Sequence, residues 1–446
     1  MRLESRFAAW YRDHARAALT CLDDGVIGEL DASSTKDGPG LALPICVAGV
    51  AGVGKSTLLN ALLSDRLSLL PQGGVGSFTA APIRIVHADE PYLAVRYQRS
   101  TASERLAAIT RGGERAAVAL QEARLLVKGS QLAEASAEYL VAVLQAAIQG
   151  RISERAVVAD RGRLSVLANI FTDERPDPWR TWSAGVELPA LRHELLHNAA
   201  GFLAPLASEI ELGWTAGFLD NAQLIDLPGL GVAHDVLHLR TEDLLADARA
   251  VLLVVDRSGI TEAAADALMP VLSRLAGDEH AGWHRILVAV THLDQIACER
   301  RASEPVGTRR TWQAHFDDLG RAAERLVRGQ LAQQLAAVGL AGDSHRARRC
   351  QIADSVCVIH VAPLEHRRYH VRDPEERSWL ADAEGGGVLR LRRELAALGA
   401  AWADAVVARL LEAFARAFGP RSRQLVELRR ALQLAANHTC RGEETT

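Results

Sequence analysis

Gly49-Val50-Ala51-Gly52-Val53-Gly54-Lys55-Ser56 is the stretch on which the fold turns. It satisfies G-x-x-x-x-G-K-S/T, and each fixed position has a physical reason. Glycines let backbone N–H groups turn inward around an anion, forming a nest of partial positive charge. The helix that follows aims its N-terminus at the same anion. In such a loop the lysine, here Lys55, reaches β- and γ-phosphates, and the Ser56 hydroxyl holds Mg²⁺. Gly49, Gly52, Val53, Gly54, Lys55, Ser56 and Thr57 are therefore the expected nucleotide-binding residues. The flanks agree. LALPICVAG (41–49) is an apolar run ending in glycine, as a buried parallel strand should be, and STLLNALL (56–63) is a helix without breakers. Composition alone yields the pattern in roughly two of a thousand such chains. Lysine is also rare here: among 51 basic residues only Lys36, Lys55 and Lys128 are not arginine. A compact ammonium fits where a planar guanidinium would crowd the phosphates.

The rest of the composition bounds the setting. A chain of 446 residues, 48% hydrophobic, is long enough for about three domains or one large domain with insertions. Acidic and basic residues nearly cancel, to −4, so nucleic acid is not the expected partner. The six cysteines form no C-x-x-C pair, which signals neither a zinc ribbon nor a redox motif. The first residues alternate charge with apolar side chains and are no secretory signal. No run reaches the ~18 uncharged apolar residues of a transmembrane helix. A cytoplasmic setting is expected.

Along the chain, an amphipathic helix (Leu3, Phe7, Trp10, His14, Ala18) and a linker occupy 1–40. PIRIVH (82–87) and YLAVRYQ (92–98) read as a hairpin. An Ala-, Leu-, Arg- and Glu-rich stretch of about 101–207 reads as a helical insertion. Strand patterns return at SEIELGW, AQLIDLPG, AVLLVVD, RILVAVTHLD and VCVIHVAP, separated by helical segments. This alternation predicts an α/β fold: a P-loop NTPase with a doubly wound, mainly parallel sheet, a helical insertion and flanking N- and C-terminal helices. The expected domains are 1–40, a nucleotide-binding domain at 41–396, and a C-terminal helical segment at 397–446.

Downstream motifs name the base. Asp226-Leu-Pro-Gly229 ends a strand, so Asp226 is placed to hold Mg²⁺ through water and the Gly229 N–H to sense a γ-phosphate. Thr291-His292-Leu293-Asp294 ends another. A carboxylate there accepts hydrogen bonds from guanine N1–H and the 2-amino group, a donor pair adenine lacks. Thr79, in the Gly-rich loop LLPQGGVGSFTAAP (69–82), is suited to close over Mg²⁺ and the γ-phosphate. The metal set is then Ser56, Thr79 and Asp226, and the catalytic set Lys55, Thr79 and Gly229. Thr291, His292 and Asp294 complete the nucleotide set.

With GVAGVGKSTLLNALL, LLPQGGVGSFTAAPIRI, DLPGLG and THLD in that order, the sequence resembles the large GTPases of the dynamin superfamily, especially bacterial dynamin-like proteins. The resemblance implies GTP and Mg²⁺, hydrolysis activated by homodimerisation across the nucleotide face, and frequent coupling to membranes. Four positions depart from the family pattern. Ala51 and Gly52 stand where Gln-Ser is common, Leu230 follows the DLPG glycine, and His292 replaces the usual lysine beside the guanine. They keep a second reading open, a nucleotide-gated scaffold with little hydrolysis.

Three other features carry their own readings. His193-Glu194-Leu195-Leu196-His197 matches the zinc-peptidase pattern H-E-x-x-H, expected in roughly three of a hundred such chains. No third ligand follows at the expected spacing, so a solvated helix face is the simpler reading. Trp402, Val406, Leu410, Phe414 and Phe418 form an apolar stripe, either packed within the fold or facing a peripheral membrane or a protein partner. Arginines at 346–349 and 367–368 read as solvated.

Overall fold

The computed structural model describes residues 42–70, 82–97, 179–182, 188–199, 207–227, 229–230, 244–245, 248–277, 285–338, 346–372 and 374–418. The expected N-terminal helix, most of the expected insertion and the Thr79 loop lie outside these residues. By compactness the chain divides into Ile45–Ala216 with Leu224–Arg392, and Met1–Pro44 with Gly217–Gln223 and Arg393–Thr446.

The α/β expectation holds. Among the described residues nine strands form one sheet: β1 (Leu43–Ala48), β2 (Ile83–His87), β3 (Tyr92–Tyr97), β4 (Trp179–Trp182), β5 (Ala207–Trp214), β6 (Ala222–Asp226), β7 (Ala250–Val255), β8 (Arg285–Val290) and β9 (Cys357–His360). Their order is β4-β3-β5-β2-β6-β1-β7-β8-β9. β1–β7, β7–β8, β8–β9 and β2–β5 pair in parallel, whereas β3 runs antiparallel to β4 and β5. β7 is buried at all six positions, as a central parallel strand covered on both faces must be. β1 stands where the strand order reverses, the place at which such sheets bind ligands beyond their carboxyl ends.

The expected hairpin is corrected. β2 and β3 are not neighbours, because β5 lies between them. The reason is visible in the register. Ile83 pairs with Ile210 and Ile210 with Val95, while Ile85 pairs with Leu212 and Leu212 with Leu93. All six side chains are fully buried, so the inserted strand completes two apolar rungs that a hairpin would leave two residues wide. The turn closes over the end of β5: Ala88 N donates to Trp214 O at 2.9 Å, and Thr215 Oγ1 to Ala88 O at 3.1 Å. Gly213 is opposite Tyr92, whose ring fills the space a Cβ would need (2.0 Å), while its hydroxyl donates to Glu211 at 2.6 Å.

The described helices are α1 (Lys55–Leu63), α2 (Leu188–Ala199), α3 (Glu262–Gly277), α4 (Leu293–Ser303), α5 (Trp312–Ala337), α6 (Arg346–Ser355), α7 (Pro363–Val371) and α8 (Val388–Phe418). Thr311 caps α5, accepting from Ala314 N at 3.2 Å. Trp312, Phe316, Leu319, Ala323, Val327, Leu331 and Leu335 form its buried stripe. Phe316 is stacked on Trp312 at 4.7 Å and meets the His360 ring edge-on at 4.9 Å. On β1, burial pushes the Cys46 thiol up to about 12, so it behaves as a small apolar residue. In the second unit, Leu43 N donates to Asn221 O at 2.9 Å, and the backbone at Gly399 comes close to Ala222 and Asn221.

Phe316 joins α5 to β9 at full burial. Phe316→Ala should therefore cost about 3–5 kcal/mol of stability, read as a lower urea midpoint at unchanged slope.

Candidate functional site

The phosphate-loop motif lies between β1 and α1. Gly49 packs so tightly that an added Cβ would be 2.6 Å from Val254 O. Gly52 (φ 80°) and Gly54 (φ 88°) are in the left-handed region, which glycine enters without cost. Gly54 is also the N-cap of α1 and offers no side chain to its N–H groups. Those donors, with the helix dipole, are the anion-binding feature the sequence predicts. Val53 is buried, while Ser56 and Thr57 are half-buried in the first turn.

Lys55 is 8% exposed. Its ammonium donates to Leu227 O and stands 3.4 Å from Asp226 Oδ1. Asp226, the last residue of β6, is 1% exposed, and neither of its oxygens has a hydrogen-bond partner among the described residues. Burial pushes its carboxyl above the usual range, opposed by the Lys55 ammonium. A buried carboxylate with two unsatisfied oxygens fits a hard cation, which takes oxygen ligands. The residues therefore suit Mg²⁺, with Ser56 and Asp226 able to hold it. Gly229 comes within 3.1 Å of the Ala51 backbone, measured from an added Cβ, so the DLPG turn abuts the loop. Leu230 N donates to Gly49 O at 3.0 Å, and the Leu230 side chain is buried in the core.

The end of β8 completes the site. Thr291 Oγ1 lies 2.7 Å from Val53 O and 3.0 Å from Val255 O, so one hydroxyl ties the loop to β7 and β8. His292 caps α4 in the left-handed region (φ 59°). Its Nε2 is 3.3 Å from the position of a Cβ on Gly54, so the histidine rests over the phosphate loop. Asp294 is 8% exposed in the first turn of α4. Burial raises its carboxyl above the usual range, and the Gln295 N–H opposes this. The Trp312 indole donates to Asp294 O at 3.3 Å, so α5 braces this turn.

The structure thus brings Gly49, Gly52, Val53, Gly54, Lys55, Ser56, Thr57, Asp226 and Gly229 together with Thr291 and His292, and sets Asp294 in the first turn of α4. Thr79 lies outside the described residues. Two positions that shape the candidate site are not singled out by the sequence. Asn60 accepts from Leu69 N (2.6 Å) and Leu70 N (2.7 Å) and donates to Leu70 O (3.0 Å), fixing where the Thr79 loop departs. A buried asparagine inside an apolar helix was its only signal. The Leu227 carbonyl that receives Lys55 had none.

The other motifs also find places. His193 is exposed and Glu194 half-buried on α2, and the His197 side chain lies outside the described residues. Neither His193 nor Glu194 belongs to a group of three metal-ligating side chains among the described residues. Trp402 and Val406 are buried on α8, while Leu410, Phe414 and Phe418 have side chains outside the described set. Arg368 pairs with Glu365 at 2.7 Å. No helix among the described residues is long and apolar enough to cross a membrane.

Val255 O keeps the Thr291 N–H as a donor at 2.8 Å, so removing the Thr291 hydroxyl leaves the Val53 carbonyl short of one. Thr291→Val should lower stability by about 1–3 kcal/mol, measured by urea unfolding of the full chain.

The sequence model of the Dynamin family matches residues 45–269. None of the curated proteins matches the chain. Two solved chains from an oligomerised bacterial dynamin pair, described as a mechanism for long-range sensing and tethering of membranes, align with 98% of this chain. Identity is 12% and 13%, the TM-score is 0.40 for both, and the chain spans 47% and 46% of their lengths. With half of its residues inside the family match, including the phosphate loop and the DLPG turn, the chain belongs to the dynamin family of GTPases.

Proposed function

We propose that the site binds GTP with Mg²⁺ and hydrolyses it, as the G domain of a dynamin-like GTPase. The observation that carries this is the buried Asp226 carboxylate, with both oxygens unsatisfied, beside Lys55 under an uncapped helix N-terminus.

In this reading the backbone N–H groups from Gly52 to Thr57 cradle the phosphates, and Val53 helps to fix the loop. Lys55 turns its ammonium from Leu227 O toward the β- and γ-phosphates. Ser56, Thr79 and Asp226 hold Mg²⁺, which supplies charge neutralisation at the transferred phosphoryl group. Gly229 donates its N–H to the γ-phosphate. Thr291 and His292 keep the base pocket in register with the loop. Asp294 accepts from guanine, and its burial is what makes those bonds selective. Catalysis is positioning plus charge stabilisation, with no covalent enzyme intermediate.

Leu230 favours slow turnover by an isolated chain, since its buried apolar side chain cannot orient water. Homodimerisation through the G domain then supplies what the protomer lacks. Where no dimer forms, the protein acts as a nucleotide-gated scaffold. A cytoplasmic location with peripheral membrane or protein contact through the distal part of α8 rests on the family alone. The domain division at 41–396, with helical segments at 1–40 and 397–446, belongs to the same proposal.

GTP turnover per molecule should rise with protein concentration and vanish in Lys55→Ala. Turnover of ATP but not GTP contradicts the base assignment. Asp294→Asn removes an acceptor for two guanine donors and presents an amide N–H instead. GTP affinity should fall about 100-fold, and xanthosine triphosphate, with a carbonyl at that position, should become the better ligand in competition binding.

A further inference from the structure

A second constellation stands apart from the nucleotide site. Pro363 starts α7, and the helix carries His366 and His370 one turn apart on the same face. Their rings are 4.6 Å apart. Asp65, just beyond α1, closes the group: its Oδ1 is 3.0 Å from His366 Nε2. The three residues each offer a ligand atom, all within 4.8 Å of one another.

We propose that Asp65, His366 and His370 bind one divalent transition-metal ion of the zinc class. The deciding observation is what the histidines leave unsatisfied. The fully buried His366 turns its Nε2 to Asp65, and beside this pair the buried Nε2 of His370 has no hydrogen-bond partner among the described residues. Buried polar atoms normally find partners. A second imidazole with an idle buried nitrogen is poorly explained by the Asp65–His366 pair, which needs only one ring.

The surroundings agree. Arg392 donates to Asp65 Oδ1 at 2.8 Å and is itself anchored on Leu62 O (3.0 Å) and Ala61 O (2.7 Å). It orients the carboxylate and leaves Oδ2 to ligate. Held hydrogen-bond partners of this kind are what fixes a metal ligand's geometry. On one tetrahedral ion, with bonds of about 2.0–2.2 Å, ligand atoms stand about 3.3–3.6 Å apart, so the widest pair would close by at most about 1.5 Å. Two imidazoles and a single carboxylate suit Zn²⁺, Co²⁺ or Ni²⁺ better than Mg²⁺ or Ca²⁺. Arg66, Tyr369, His370, Val371 and Arg372 line an open cleft of about 430 Å³, which leaves a fourth position to water or an outside ligand. An ion here pins α7 to the chain leaving α1. This site is independent of the nucleotide reading.

The test is calorimetric titration of ZnCl₂ into the full chain, freed of metal by chelation and held in excess Mg²⁺, with Co²⁺ as an optical probe. The expected result is one ion per chain, visible d–d bands with Co²⁺ and a zinc-dependent rise in Tm. In His370→Ala, whose ring borders the cleft, affinity should fall at least about 100-fold and the rise in Tm should disappear. If that variant does not fold, His370→Gln, closer in size, takes its place. His193→Ala should bind as the parent does. Absence of binding, unchanged affinity in the His370 variant, or loss of the ion in His193→Ala would overturn the proposal.

Discussion

An ammonium and a carboxylate, both nearly closed off from water, meet 3.4 Å apart where β1 and β6 end. Burying such a pair is costly unless the remaining valences are met. Lys55 meets one of them by donating to Leu227 O, while both oxygens of Asp226 stay unsatisfied. The fold tolerates this because the pair sits beside β1 and β7, apolar strands fixed by their parallel pairing. Buried polar atoms left without hydrogen bonds are exceptions in folded proteins and ask for an explanation. A triphosphate with its cation is a ligand that satisfies both ends at once.

The constraint propagates outward through backbone contacts more than through side chains. Gly49 lets the loop leave β1 against Val254 O, and Gly52 and Gly54 give it left-handed turns. One threonine hydroxyl, on Thr291, then holds the loop to β7 and β8. Trp312 carries the same rigidity from α5 to the Asp294 turn. The glycine loop and the Asp294 turn are thereby fixed to one sheet, while Asn60 holds Leu69 and Leu70, where the chain leaves toward Thr79. That division, a rigid floor with an anchored departure point, is what a nucleotide-dependent switch requires.

The α/β class and most strands were legible because apolar runs ending in glycine or aspartate have few other uses. The glycines, Lys55, Ser56 and Asp226 were legible because phosphate and Mg²⁺ chemistry restricts residue type at fixed spacing. The placement of β5 was not. Its insertion between β2 and β3 depends on pairing across more than a hundred residues, which local alternation cannot report. Nor could sequence show that His292 rests over Gly54, since no pattern encodes a left-handed histidine at a helix start. Asp65 and His366 are 301 positions apart, and only the packing of α7 beside α1 brings them together.

The central claim is that one site reads both a polyphosphate and a guanine. Equilibrium titration of the full chain with a non-hydrolysable GTP analogue, with and without Mg²⁺ and against its adenine counterpart, tests it most directly. The account predicts a single saturable site that is Mg²⁺-strengthened for guanine and is not competed by the adenine analogue. Equal affinity for the two bases, or binding of the guanine analogue that is indifferent to Mg²⁺, would contradict it.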